Sequence, residues 1–160
     1  MAATDLNDLN NFEFHFETAA VTFLNTDVGI TVTRTVVENT LDAPRIEVQL
    51  MVEGANEPVA PRNGGASSAT LDYRSFGATF IAKLVTDNAT GGAADHATYR
   101  AKMRTALMHS AANWDATTLE YYGVKYLKPE AADYEVDGDM NITQLTYTVI
   151  FEIRDDAWPA

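Results

Sequence analysis

The first regular spacing of apolar residues runs from about Leu9 to Leu24, where Phe12, Phe16, Ala19, Ala20 and Phe23 recur at three- and four-residue steps and predict an amphipathic helix. Phe14 and Val21 fall off that stripe, so this helix is expected to be apolar on more than one side or irregular in its first turn. The pattern changes at Val28, because Val28, Ile30 and Val32 alternate and Thr33, Val36 and Val37 are β-branched; an extended segment or strand is expected over Val28 to Val37. After Pro44, the residues Ile46, Val48, Leu50 and Val52 alternate with Arg45, Glu47, Gln49 and Met51, the pattern of a half-buried strand.

Gly54 to Thr70 holds prolines, glycines and the Ser67–Ser68 pair but few residues able to anchor a core, and predicts a long loop over residues 54–70. Alternation returns from Tyr73 to Asp87. Phe76, Ala78, Phe80, Ala82 and Leu84 form one face; Arg74, Gly77, Thr79, Ile81, Lys83 and Val85 are assigned to the other, which is itself partly apolar. A strand covered on both sides, or one whose outer face meets another subunit, has this look. Gly91 and Gly92 close a turn, and Asp95 is the expected N-cap of a helix reaching about Ala112, with Tyr99, Met103, Ala106 and Leu107 as its buried stripe. Arg100 and Arg104 lie one turn apart on another face, with Lys102 nearby, so this helix gathers positive charge. The carboxy-terminal third predicts two strands, Tyr121 to Leu127 and Asn141 to Arg154, joined through Pro129 and the Asp137–Gly138–Asp139 turn, with Thr143, Leu145, Tyr147, Val149, Phe151 and Ile153 facing the core.

This order of helix, strands, helix and strands predicts an α+β fold: an antiparallel or mixed sheet of four to five strands with two helices packed on one face. The 160 residues are expected to form a single domain, with residues 1–8 flexible. Apolar residues make up 46% and charged residues 21%, an ordinary balance for a chain that buries one core. The start of the chain is polar where a signal peptide needs a basic and then an apolar run, and no stretch approaches the about 20 apolar residues of a spanning helix. Neither export nor membrane insertion is therefore expected, and assembly in the cytosol is.

Charge narrows the partners further. Eleven basic against 23 acidic residues give a net charge of −12, which repels phosphate backbones and argues against a dedicated nucleic-acid reader. Cysteine is absent, which removes disulfides, thiolate metal sites and cysteine nucleophiles together. His15, His96 and His109 are far apart and none has a second ligand at metal-binding spacing, so structural or surface roles are expected for them. Asp137, Asp139 and Asn141 imitate the start of a calcium loop, but its sixth position is Ile142 and its twelfth Thr148, where glycine and glutamate are required. No serine stands in a nucleophile elbow, and neither glycine pair opens a dinucleotide or phosphate loop. The expectation is a protein that is not an enzyme, with no cofactor and no catalytic or metal-binding residues.

The closing segment, Asp137-Gly-Asp-Met-Asn-Ile-Thr-Gln-Leu-Thr-Tyr-Thr-Val-Ile-Phe-Glu-Ile-Arg-Asp-Asp-Ala-Trp158-Pro, resembles the ends of small phage proteins encoded among head–tail joining and tail genes. The order of elements over nearly the whole chain resembles the phage tail terminator family, the minor tail protein U-like tail-completion proteins. That resemblance implies a structural virion protein, assembled in the host cytoplasm and placed at the neck or top of the tail. It would stack as a hexameric ring on the tail tube, end its polymerisation and join it to the neck or head-completion protein, while DNA passes through without specific binding. A ring needs two different patches on each subunit. The candidates are the second face of the Tyr73–Asp87 strand, with Arg74, Ile81 and Lys83, and the basic turn of Arg100 and Arg104; Arg62 and Asn63 in the long loop are candidates for contact with the tube. Three alternatives stay open: a head-completion or neck connector, a small-ligand-binding or enzymatic domain using carboxylates such as Asp137 and Asp139, and an acidic mimic of DNA.

Overall fold

A computed structural model describes residues 12–34, 42–51, 73–89, 91–108 and 122–154. They form, in chain order, α1 (Phe12–Val28), β1 (Thr31–Arg34), β2 (Arg45–Met51), β3 (Tyr73–Asp87), α2 (Gly92–Met108), β4 (Tyr122–Asp137) and β5 (Met140–Arg154). The five strands make one mixed sheet in the order β1-β2-β3-β5-β4, with β1 parallel to β2 and the other pairs antiparallel. α1 packs on β1 and β2, α2 on β3 and β5, and the helices touch each other. This is the expected α+β architecture, at the five-strand end of the predicted range.

α1 buries Phe16, Ala19, Ala20, Phe23, Leu24 and Val28. Its solvent side carries Thr18, Thr22 and Thr26, each donating its hydroxyl to the carbonyl one turn earlier, at 2.8, 3.0 and 3.1 Å. Phe14, off the stripe as its spacing indicated, stays exposed and takes the Arg34 guanidinium over its ring at 3.9 Å. The helix runs one turn beyond the expected end. Val28 is its last residue and not the first of a strand, because the chain reverses at Gly29, whose φ of +80° suits a residue without a Cβ. Gly29 N–H donates to Asn25 O at 3.0 Å, and Asn25 Nδ2 donates to Ile30 O at 2.9 Å, closing the helix end on β1. The extended segment is correspondingly short, Thr31 to Arg34, and its expected remainder, 35–37, lies outside the described residues.

β2 departs from half-burial. Ile46, Val48 and Leu50 enter the core as predicted, but Arg45 and Glu47 on the opposite face are also buried, at 4% and 7% exposure. Charge at those positions misleads a pattern reading, because the two side chains hold each other: Arg45 Nε lies 3.5 Å from Glu47 Oε2, and Lys83 Nζ is 3.9 Å from the same oxygen. In β3, Ala78, Phe80, Ala82 and Leu84 are buried on the helix side, with Phe80 meeting Phe16 edge-on at 5.4 Å between ring centroids. Residues 52–70, and with them the predicted long loop, lie outside the described residues.

α2 starts one turn earlier than expected, at Gly92, so Asp95 belongs to its first turn and is not the N-cap. The predicted stripe holds: Met103, Ala106 and Leu107 are buried and Tyr99 packs against the same core. The largest correction concerns β4, which continues through Pro129 to Asp137 instead of ending near Leu127. A proline without N–H interrupts a central strand but is accepted on an edge, and register shifts between Val124 and Tyr126 and between Pro129 and Ala131 absorb the irregularity. Asp137 ends β4 and Met140 begins β5, so Gly138 and Asp139 form a two-residue hairpin turn. Gly138, at φ +59°, holds its first position, where a non-glycine residue would be strained. The core face of β5 is the one predicted, with Thr143, Leu145, Tyr147 and Val149 all buried.

Candidate functional site

The sheet has a helix-covered face and an opposite face, and the two groups of predicted interface residues fall on different sides. Ile81 and Lys83 lie on the face away from the helices, half-buried, in cross-strand rows with Gln49 and Thr146 and with Glu47 and Gln144. Lys83 is tied to Glu47. Arg74 belongs to β3 opposite Ile153, but the β3–β5 register is unbroken and strand phase places position 74 with Phe76 and Ala78, not with Ile81 and Lys83. Grouping these three residues on one face is thus corrected by the period of the strand. Arg62 and Asn63 lie outside the described residues.

Arg100 and Arg104 stand on α2 as their spacing indicated, Arg100 half-buried and Arg104 exposed, with Lys102 exposed beside them. None of the three forms an ion pair among the described residues. Their charge is felt below the helix. Burial, and secondarily Arg100, hold the His96 imidazole below its ordinary pKa, while burial pushes the Tyr147 phenol up against the opposing pull of Arg104.

Pattern reading missed a polar cluster beneath this helix. His96 is 2% exposed and lies between two hydroxyls, Nδ1 2.7 Å from Thr86 Oγ1 and Nε2 2.7 Å from Thr143 Oγ1. A neutral imidazole donates from one nitrogen and accepts at the other, and a hydroxyl serves either role, so both ring nitrogens are satisfied. The Tyr134 ring meets His96 edge-on at 5.7 Å, and its hydroxyl donates to Asn141 Oδ1 at 2.8 Å. Asn141 Nδ2 in turn donates to Asn88 Oδ1, and Asn88 N–H donates to Asp139 O at 2.8 Å. These bonds fasten the β3–α2 turn to the β4–β5 hairpin. With both His96 nitrogens engaged by threonines, the arrangement is a structural pin and not an acid–base pair turned toward a substrate. Asn141 and Thr143 continue the core-facing phase of Leu145, Tyr147 and Val149, and polar residues in that phase were the available signal that polar partners wait at that end of the sheet.

The second missed feature is the outer strand. Every residue from Lys128 to Asp139 is exposed, including Tyr134 and Val136 at 55% each. Lys128 pairs with Glu130 at 3.4 Å, whereas Asp133, Glu135, Asp137 and Asp139 form no ion pair among the described residues. No group of three or more potential metal-binding side chains occurs among the described residues, and none of the described helices is long and apolar enough to cross a membrane.

The site is therefore a set of surfaces on an α+β sheet-and-helix scaffold: a basic helix, an acidic edge strand and a helix-free sheet face. No protein-family model and no curated protein matches the chain. Among solved structures, its fold is similar to that of a chain in the virion of a native gene transfer agent particle, with a TM-score of 0.51 and 20% sequence identity, covering 88% of this chain and 92% of that one.

Proposed function

We propose that this chain is a structural component of a phage-like virion that assembles as a ring, caps the tail tube, ends its polymerisation and joins the tail to the head or neck. The observation that carries this reading is the likeness of fold to a chain of a gene transfer agent virion, which extends over nearly the full length of both chains. The distribution of charge supports it. A basic helix and an acidic strand on one subunit are the two unlike patches that ring contacts need, and the net charge of −12 suits a channel through which DNA slides without adhesion.

In this reading the partners are further copies of the chain, forming a hexamer, the tail tube protein on one face of the ring, and a neck or head-completion protein on the other. The decisive experiment deletes the gene in the particle that encodes it and images the products. Overlong or unjoined tails are the expected outcome. Normal tails with heads that leak DNA would place the ring on the neck side instead, and unaltered particles would remove the structural reading.

A further inference from the structure

β4 is the strand that the helices cover least, with α2 reaching it through His96 against one side of the Tyr134 ring, which stays 55% exposed. Helices about 10 Å across cover roughly two strands each at a spacing of about 4.8 Å. With α1 over β1 and β2 and α2 over β3 and β5, the fifth strand projects beyond them. Its outer edge pairs with no strand among the described residues. On the helix side it presents Ala132, Tyr134 and Val136, in register with Leu145, Thr143 and Asn141 of β5. Asp133, Glu135 and Asp137 alternate with them toward the other side. An unpaired edge that shows two large apolar side chains invites another chain, and its carboxylates restrict which one.

The charges decide among occupants. Two β4 edges brought together around a twofold axis would set carboxylate against carboxylate, and every copy already repels every other through its net charge of −12. The surface of this chain that answers an acidic, partly apolar strand is the outside of α2. Ala97, Ala101 and Met108 are exposed there, small or flexible enough for close approach, beside Arg100 and Arg104, which form no ion pair among the described residues.

We propose that the β4 edge of one copy docks along α2 of a second copy, with Tyr134 and Val136 against Ala97 and Ala101 and with Glu135 and Asp137 meeting Arg100 and Arg104. This rests on the ring reading above and gives the ring its subunit contact. The contact joins two different patches, so each copy offers a free α2 on one side and a free β4 on the other, and successive copies follow one another until the rotation closes.

The test is a charge exchange read by sedimentation velocity over a concentration series. One variant carries Arg100→Glu and Arg104→Glu, a second Glu135→Lys and Asp137→Lys, and a third all four substitutions. Each two-residue variant is expected to need about tenfold or more protein to associate than the wild type. An equimolar mixture of the two, or the four-residue variant alone, restores association, because every α2–β4 contact is again between opposite charges. Arg104, Glu135 and Asp137 are exposed and Arg100 is half-buried, all four lie outside the described ion pairs, and circular dichroism verifies that each variant folds. Two-residue variants that associate like a ring-forming wild type, or that are rescued by neither arrangement, overturn this contact and leave the ring reading standing. A wild type that stays monomeric at every concentration and on purified tail tubes overturns both.

Discussion

Thr143 Oγ1 lies 2.7 Å from His96 Nε2, a contact between residues 47 apart in sequence that fixes α2 to the middle of the sheet's far end. Thr86 closes the other side of the ring from β3. One imidazole thus joins a helix to two neighbouring strands where the core gives way to the hairpin, and it does so in its neutral form.

Acid should loosen that joint. Burial, reinforced by the charge of Arg100, depresses the His96 pKa below the ordinary 6.5. Above that value both folded and unfolded chains carry a neutral imidazole and His96 adds no pH dependence. As the pH falls through 6.5 the unfolded chain takes up its proton first, so stability declines from there down to the lower folded-state pKa. Thermal unfolding measured from about pH 8 to about pH 5 is expected to show Tm dropping over this window in the wild type. The His96→Gln protein, which starts less stable, should show a shallower drop, and parallel curves for the two proteins would contradict the assignment.

Phe80 occupies the centre of the core, fully buried, with Phe16 from α1 set edge-on against it. Truncation to alanine removes the ring and leaves a cavity bounded by both layers, at a cost of about 3 to 5 kcal/mol. Phe80→Leu refills most of that volume and is expected to cost less than half as much. Urea unfolding midpoints of the two variants test the ordering.

How far the sequence carried this structure depended on whether burial and hydrophobicity coincided. On α1, α2, β3 and β5 they do, and Phe16, Leu107, Phe80 and Val149 were placed on the correct faces by spacing alone. On β2 they part, because Arg45 and Glu47 are buried through mutual charge pairing, which periodicity does not register. On β4 they part in the other direction. A strand exposed on both sides has no alternation to display, and Pro129 argued for a break that an edge position tolerates. The Arg100–Arg104 turn was legible because charge clustering is local. The acidic strand proposed to meet it was hidden inside what looked like a connection.

The Arg45–Glu47–Lys83 group makes a prediction of its own. Removing the carboxylate with Glu47→Ala takes an anion away from a guanidinium that is only 4% exposed, and is expected to destabilise the protein by about 3 kcal/mol. Replacing the pair together, Arg45→Met with Glu47→Leu, removes both charges at once and should cost clearly less than Glu47→Ala alone. Denaturant unfolding of the two proteins side by side checks the sign of the difference.

The edge position of β4 predicts how its backbone exchanges hydrogen. β5 is flanked on both sides by paired strands, as is β3 over Thr79–Val85, so their amides there donate within the sheet and open only with the fold. Along β4 the register with β5 occupies one edge of the strand, and the amides that alternate with those bonds point outward with no partner among the described residues. In dilute protein, amides between Lys128 and Asp137 should therefore split into slow and fast sets, while β5 is uniformly slow. On assembly the fast set is expected to slow by about tenfold or more, because a helix laid along the edge excludes water from it. Hydrogen exchange read by mass spectrometry at low and high protein concentration measures both states. A fast set that stays fast in the assembled protein would place the subunit contact elsewhere on the chain.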